Sequence, residues 1–149
     1  MYEDYRSQIM FFCGNEPDCI QFNNPRALKK AMAVVEEEFS VVGILENLPK
    51  TFSVFENYVP RFFKNIEDIY NHSKEEIRNK NFNPHKKKIT EALRKTLRKV
   101  FSNEMEFYEF CKQRLYRQMA TMTQLKRKAG SDENIISSDR NQNRKFVLL

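Results

Sequence analysis

Two cysteines flank a short segment that is rich in turn-forming residues. Cys13 and Cys19 lie six positions apart, with Gly14, Pro17 and Asp18 between them. A disulfide can close this loop if the turn brings the two Cβ atoms to about 4 Å, and it would indicate an oxidising compartment. The alternative is a pair of reduced cytosolic thiols, and composition does not decide between the two. A zinc site is not favoured, because no nearby histidine or second cysteine pair completes four ligands.

A run of positive charge lies between residues 74 and 99. Lysine and asparagine side chains, together with backbone amides, can donate hydrogen bonds to the anionic oxygens of a phosphate. The alternative is a solvated surface without a ligand. The chain has 26 Lys and Arg against 20 Asp and Glu, a net charge of +6, which favours a polyanionic partner such as a sulfated glycan, a nucleotide or a nucleic acid. The basic residues of the run are Lys74, Arg78, Lys80, Lys86, Lys87, Lys88, Arg94, Lys95, Arg98 and Lys99.

The two histidines of the chain are candidates for a general base. His72 and His85 both lie in a polar stretch. Histidine is the commonest general base, but this setting favours ordinary surface residues. We therefore assign no catalytic residue, and the sequence contains no glycine-rich phosphate loop or nucleophile constellation. No metal ligand is assigned either.

A second group of acidic and aromatic residues lies further along the chain. Helical spacing places Tyr108 inward, with Phe107 and Phe110 flanking it, so we interpret the group as packing rather than chemistry. Cys111 lies on the same face and is interpreted as a buried, unpaired thiol. The polar members of the group are Glu104, Glu106, Tyr108 and Glu109.

The spacing of apolar residues predicts mostly helices around one buried strand. Helices are expected over 2–12, from Asn24 to Phe39, over 51–57, over 89–100, and from Ser102 or Asn103 to about Gly130. Residues 40–45 are β-branched and apolar, which predicts a strand, and its position after a helix suggests a parallel sheet. We expect the partners of this lone strand to come from outside the chain.

Other stretches lack such a pattern. Residues 71–88 are polar without periodicity, so a loop is predicted there. Phe62 and Phe63 are assigned to the core. Residues 1–130 are expected to be part of one domain rather than a complete one, and 131–149 are expected to be a disordered tail because they are mostly polar.

A secretory disulfide conflicts with the lack of a recognisable targeting signal in this sequence. No 18 consecutive residues are apolar, so the sequence predicts no membrane span. Met1 is followed by a charged amphipathic stretch rather than the apolar run of a signal peptide. A secretory origin therefore requires a targeting segment outside this chain.

Four blocks of the sequence resemble the uronyl 2-O-sulfotransferases, which sulfate the 2-hydroxyl of hexuronic acids in heparan sulfate or in dermatan and chondroitin sulfate. The match covers about residues 8–115, with the four blocks in the family's order and spacing. The blocks are 8–14 with Pro17 and Cys19, 41–46, 59–63 with Ile69 and Tyr70, and Glu104 with 106–110.

The resemblance implies a fold, a location and a reaction. It implies an α/β fold, with this chain as the C-terminal, mostly helical portion of a parallel-sheet, P-loop-like sulfotransferase. Family members carry an N-terminal membrane anchor in the Golgi, which would lie outside this chain, and so the disulfide becomes the expected state. They transfer a sulfuryl group from 3′-phosphoadenosine 5′-phosphosulfate without a metal. The partner would be a sulfated glycosaminoglycan rather than a nucleic acid, and the assembly a homo-oligomer, by resemblance a trimer.

The resemblance also implies which residues bind the donor. By position, the stretch between the third and fourth blocks helps to hold the donor and reaches toward the glycan. The family's base and its main donor loop belong to the N-terminal half, so we expect this chain to be inactive alone. The alternative is a non-enzymatic, basic helical module that binds polyanions. The donor-binding candidates are Arg78, Lys80, Asn81, Asn83, Lys86 and Lys87.

Overall fold

Helices make up most of the computed structural model, which describes residues 7–80, 82–85, 87–129 and 145–149. Over these residues the chain is mostly helical with a small parallel sheet, as the sequence predicted. A short 3-10 turn, Leu45–Asn47, follows the first strand. The helices and strands in chain order are α1 (Gln8–Cys13), α2 (Pro17–Ile20), α3 (Pro25–Glu38), β1 (Phe39–Gly43), α4 (Leu48–Tyr58), α5 (Pro60–Phe63), α6 (Ile66–Lys80), α7 (Glu91–Val100), α8 (Ser102–Ala129) and β2 (Lys145–Leu148).

Strands β1 and β2 pair in parallel. Val42 lies opposite Val147, and the pairing continues past β2, where the Leu149 N–H donates to the Gly43 carbonyl at 2.8 Å. β1 lies where a strand was predicted over 40–45. The expectation that its partners come only from outside the chain is wrong, because β2 supplies one of them.

Strand β2 also corrects the predicted tail. The expectation of disorder over 131–149 is wrong for 145–148, whereas 131–144 lie outside the described residues. Phe146 packs against Phe63, with ring centroids 4.7 Å apart, and lies 6.2 Å from the Phe55 ring. A four-residue strand next to a long polar run is too short to show a period, and its partner is about 100 residues away in the sequence.

Two apolar clusters share β1. The neighbouring residues Val41 and Val42 are both buried but belong to different clusters. Because successive side chains of a strand point to opposite faces, β1 is buried on both faces, as is typical of parallel sheets. Helix α8 serves both clusters, with Phe107 and Cys111 in the first and Leu115 in the second.

Polar side chains fasten the elements next to β1. Thr51 Oγ1 donates to the Ile44 carbonyl at 3.0 Å and accepts from the Ile44 N–H at 3.1 Å. From α8, the Arg114 guanidinium donates to the Phe39 carbonyl at 2.6 Å. Backbone groups at both ends of β1 therefore find partners within the fold, which buried polar groups require.

Helix α6 replaces much of the predicted loop over 71–88. No glycine or proline occurs between 66 and 80, and Glu76 pairs with Lys80 one turn later at 2.6 Å. Acidic residues in the first turn and Arg78 and Lys80 in the last turn match the helix dipole. The Tyr70 ring packs on Phe52 at 5.2 Å. Helix-favouring charge pairs can form a surface helix where apolar periodicity is weak.

Three smaller predictions can be compared with the structure. Phe62 is 67% exposed, so its assignment to the core is wrong, whereas Phe63 packs against Phe55 at 4.8 Å. Of the first predicted helix, α1 is described, and Tyr2 and Tyr5 lie outside the described residues. In the part of the chain that the structure describes, no helix is long and apolar enough to span a membrane.

Candidate anion-binding surface

The basic run forms one exposed segment rather than a pocket. It extends from the last turns of α6, through the connection to α7, and along α7, and every described residue from 74 to 100 is exposed. We call its cations the basic surface. Its described members are Lys74, Arg78, Lys80, Lys87, Lys88, Arg94, Lys95, Arg98 and Lys99.

The six predicted donor-binding residues divide into three groups. Arg78 and Lys80 lie in the last turn of α6, on a helix instead of the predicted loop. Asn83 and Lys87 lie in the connection, where Asn83 Oδ1 accepts a hydrogen bond from the His85 N–H at 2.9 Å. Asn81 and Lys86 lie outside the described residues.

Few acidic residues neutralise the basic surface. Lys80 pairs with Glu76 at 2.6 Å, and Arg94 lies 3.4 Å from Glu91. Both pairs are solvent-exposed, and such pairs stabilise a fold little. Among the described residues, no other member of the basic surface lies within ion-pair distance of a carboxylate. The surface therefore keeps a net positive field that can attract an anionic ligand.

Two cavities border this surface. One of about 210 Å³ is lined by Lys74 with Phe52 and Tyr70. Another of about 380 Å³ is lined by Arg94 and Arg98 with apolar residues of α7 and α8. The cations around each cavity come from one helix, so a ligand that engages the whole surface has to be extended rather than enclosed.

Neither histidine lies in a site built for proton transfer. His72 is on α6, and its Nδ1 lies 2.7 Å from the Asp68 carbonyl oxygen. His85 lies in the connection, and both residues are exposed. Within the residues described, no three His, Cys, Asp or Glu side chains gather where they could hold a metal ion.

The acidic and aromatic group packs with a different residue facing inward. Phe107 is fully buried, 5.1 Å from the Phe12 ring, whereas Tyr108 is half-buried. The prediction that Tyr108 points into the core with Phe107 beside it is wrong by about one position. Since one residue turns a helix by about 100°, Phe107, Cys111 and Leu115, spaced by four, define the buried face.

Tyr108 instead borders a cavity of about 480 Å³ that also touches Glu46 and Glu104. Burial raises the pKa of the Tyr108 hydroxyl to about 12, and the hydrogen bond to Glu46 acts in the same direction. The Glu104 carboxylate accepts a hydrogen bond from the Gln8 N–H at 3.2 Å. The Glu46–Tyr108 pair was missed from the sequence, although the two residues belong to two of the four family-like blocks.

The two cysteines of the short loop form a disulfide in the structure. The Cα atoms of Cys13 and Cys19 are 5.5 Å apart, within the usual span of a disulfide. Gly14 ends α1 with φ +105°, a left-handed conformation that side chains rarely adopt. Cys111 is buried as a free thiol, and burial raises its pKa to about 12.

Comparison with known proteins gives a consistent set of relatives. The chain is 41% identical over 140 residues to the uronyl 2-sulfotransferase homolog pip of Drosophila melanogaster, an alignment that covers 93% of this chain and 27% of the relative. It is 31% identical over 111 residues to heparan sulfate 2-O-sulfotransferase 1 of Mus musculus, and 30% identical to that of Homo sapiens; each alignment covers 69% of this chain and 29% of the relative.

The chain belongs to the uronyl and heparan sulfate 2-O-sulfotransferase family. No family model and no solved structure matches it. The chain spans less than a third of the length of these family relatives. Two of the four family-like blocks, 41–46 and 106–110, meet in the fold through Glu46 and Tyr108.

Proposed function

We propose that the chain is part of a glycosaminoglycan uronyl 2-O-sulfotransferase. This enzyme would transfer a sulfuryl group from 3′-phosphoadenosine 5′-phosphosulfate to the 2-hydroxyl of a uronic acid in heparan or dermatan/chondroitin sulfate. The observation that carries the proposal is the 41% identity to a uronyl 2-sulfotransferase homolog over 93% of this chain. The same similarity favours a transferase over a non-enzymatic polyanion-binding module. We further propose the lumenal side of the Golgi membrane as the location, and a homo-oligomer as the assembly.

In this proposal the basic surface contacts both anionic partners of the reaction. The donor carries phosphates and the glycan carries sulfates and carboxylates, and all three accept charge-assisted hydrogen bonds from Lys and Arg. Arg78, Lys80, Asn83 and Lys87 remain the proposed donor contacts, joined by Asn81 and Lys86. The exposure of the segment supports contact with an extended polymer, because its cations are accessible along α6, the connection and α7.

In this proposal the chemical step depends on groups that lie outside this chain. Sulfuryl transfer requires a base to accept the proton of the sugar hydroxyl, and neither histidine is assigned that role. We therefore propose that the 149-residue chain alone is inactive. Sulfate incorporation from a labelled donor into heparan sulfate by the isolated chain, lost in His85→Ala, would contradict this part of the proposal.

A heparin-affinity experiment tests the role of the basic surface. The double variant Lys87→Ala with Lys88→Ala removes two exposed charges from the connection. We expect it to elute from heparin at lower salt and with a flatter salt dependence, because fewer counterions are released on binding. The free energy of unfolding should change little, since exposed lysines contribute little.

The matched control removes the same charge elsewhere. Lys126→Ala with Lys128→Ala also deletes two exposed positive charges, near the end of α8. Elution of this control should stay close to that of the unmodified chain. Equal losses for the two variants would indicate diffuse attraction to net charge and would contradict a defined anion-binding surface.

A further inference from the structure

Helix α6 carries an acceptor motif for N-linked glycans. Asn71, His72 and Ser73 form a triplet of the type Asn-X-Ser in which X is not proline, the pattern that N-glycosylating transferases recognise. No other asparagine of the chain is followed two positions later by Ser or Thr. A three-residue motif also occurs by chance, so its structural setting has to decide whether it can serve as a site.

The triplet lies on an accessible face of α6. Asn71 is in the second turn of the helix, and both Asn71 and His72 are exposed, while Ser73 is half-buried. Tyr70, one residue earlier, is the residue whose ring packs on Phe52. Since one residue turns a helix by about 100°, Asn71 lies beside this contact rather than under it.

A glycan on Asn71 has room in the fold. Glu67 and Lys74, one turn before and one turn after it on the same face, are exposed. Asn71 also borders the cavity of about 210 Å³, so the space next to its side chain is open. Among the described residues, no side-chain hydrogen bond of α6 uses the Asn71 amide. Attachment of a sugar to Nδ2 therefore disrupts no contact of the fold.

The disulfide favours the compartment in which such glycans are added. The bond between Cys13 and Cys19 is typical of proteins that fold in the secretory lumen. N-linked glycans are transferred in that lumen to chains that have not yet folded, so the helical geometry of α6 does not prevent the transfer. The exposure of Asn71 matters afterwards, because the folded chain has to accommodate a bulky, hydrophilic group at its surface.

We propose that Asn71 is an N-glycosylation site, an inference that rests on the lumenal location in the proposed function. In the transfer, Asn71 Nδ2 forms a bond to C1 of the first N-acetylglucosamine of a lipid-linked oligosaccharide diphosphate. The bond between C1 and the diphosphate oxygen breaks, and the lipid diphosphate leaves with the bonding electrons. The amide nitrogen gives up one of its two protons to a base of the transferase. Ser73 supplies the hydroxyl by which the transferase recognises the acceptor.

Expression through the secretory route tests the proposal on the full 149-residue chain. A cleavable signal peptide placed before Met1 directs the chain into the lumen in cultured animal cells. We expect one N-linked oligosaccharide, seen as a single mass shift that peptide N-glycosidase F removes. That enzyme leaves an aspartate in place of the glycosylated asparagine, so tandem mass spectrometry of the treated protein should locate the change at Asn71.

Variants of the triplet test which atoms are needed. Ser73→Ala should abolish the mass shift although Asn71 is retained, because the motif loses its hydroxyl, and Ser73→Thr should preserve it. Asn71→Gln should abolish it as well. The matched control is Asn79→Gln, which changes another exposed asparagine of α6 that belongs to no such triplet. This control should carry the glycan like the unmodified chain.

The glycan must also be compatible with the folded chain. Glycosylated protein should contain the disulfide between Cys13 and Cys19. Its melting temperature should agree with that of the enzyme-treated protein within about 3 °C, because changes at exposed positions alter stability little. A glycan confined to material with free Cys13 and Cys19 thiols would show that only misfolded chains are modified, and would contradict the proposal.

Two further results would overturn the glycosylation proposal. One is a secreted chain without a glycan, and the other is a glycan that persists in Ser73→Ala. Heparin elution tests the proposed function separately, because glycan addition depends on the triplet and the lumen and not on the basic surface. A secreted chain that binds heparin as expected but carries no glycan would refute the glycosylation site alone.

Discussion

The packed region around β1 and the exposed segment from 74 to 100 differ in how far their side chains are buried. Around β1, residues such as Val35, Val54 and Phe107 are fully buried, and hydroxyl and guanidinium groups satisfy the strand's carbonyls. In the exposed segment no described residue is buried. The first region holds the structure together, whereas the second exposes charged and apolar side chains to solvent.

The difference shows why the two regions should respond differently to mutation. Stability in small folds comes mainly from buried apolar surface, while exposed substitutions usually change it by less than about 0.5 kcal/mol. Matched substitutions in the two regions can therefore separate residues that specify the fold from residues that bind.

The largest contrast is expected for phenylalanine. Phe107→Ala removes a fully buried ring between α1 and α8 and should cost about 3–5 kcal/mol of unfolding free energy. Phe82→Ala removes an exposed ring and should cost less than about 0.5 kcal/mol. Urea denaturation of both variants measures the difference. Similar costs would mean that the exposed segment packs against the core in solution.

The disulfide should rank next. Cys13→Ser with Cys19→Ser opens a short loop, and the chain-entropy model gives a loss of about 2–3 kcal/mol. In protein made by a secretory route, Cys13 and Cys19 should resist alkylation until a reductant is added. Cys111→Ala is the control, because it removes the free thiol without touching the loop. Mass spectrometry that finds Cys13 and Cys19 alkylated without reduction would contradict the disulfide.

Two threonines, one buried and one exposed, give a smaller contrast. Thr51→Val leaves the buried amide and carbonyl of Ile44 without their side-chain partner, and should cost about 1–3 kcal/mol. Thr96→Val removes a hydrogen bond to the Ala92 carbonyl on the exposed α7 and should have almost no effect. Thermal melts can compare the two. A neutral result for Thr51→Val would show that water replaces its hydroxyl at β1.

The smallest effect concerns Cys111 and develops at alkaline pH. Burial raises its pKa from 9.0 to about 12, so between these values the folded chain holds a proton that the unfolded chain releases. This contribution to stability is complete below about pH 9 and declines as pH rises toward about 12. As the pH rises from about 8 to about 10.5, the free energy of unfolding should therefore fall less for Cys111→Ala than for the unmodified chain. Tyr108, whose pKa is raised in the same direction, should leave some alkaline loss in both proteins.

The sequence predicted those features that repeat locally. Asn24 before Pro25 marks the start of α3, where the Asn24 side chain accepts from the Arg26 N–H at 2.9 Å, and the β-branched run from Val41 gives β1. Features that depend on distant partners were missed. Strand β2 acquires its structure by pairing with β1, and the Glu46–Tyr108 pair joins residues that are 62 positions apart.

The candidate binding residues were easier to find than to place. Charge alone located the basic surface, because Lys and Arg are dense there whatever the local structure. The helix that carries Arg78 and Lys80 shows in its lack of glycine and proline and in charge pairs such as Glu76–Lys80, which apolar periodicity does not register. The apolar spacing of Leu93 and Leu97 predicted a helix correctly but gave no sign that its apolar face would remain uncovered.

The parallel pairing of β1 with β2 has a consequence for the order of events during synthesis. Residues 39–43 leave the ribosome about 100 residues before their partners at 145–148. Until then one edge of β1 lacks its partner, and closing so long a loop is entropically costly and slow. An unpaired strand edge readily joins other chains. The growing polypeptide is thus most prone to aggregation in the interval before β2 emerges, when a chaperone that covers this edge would have its greatest effect.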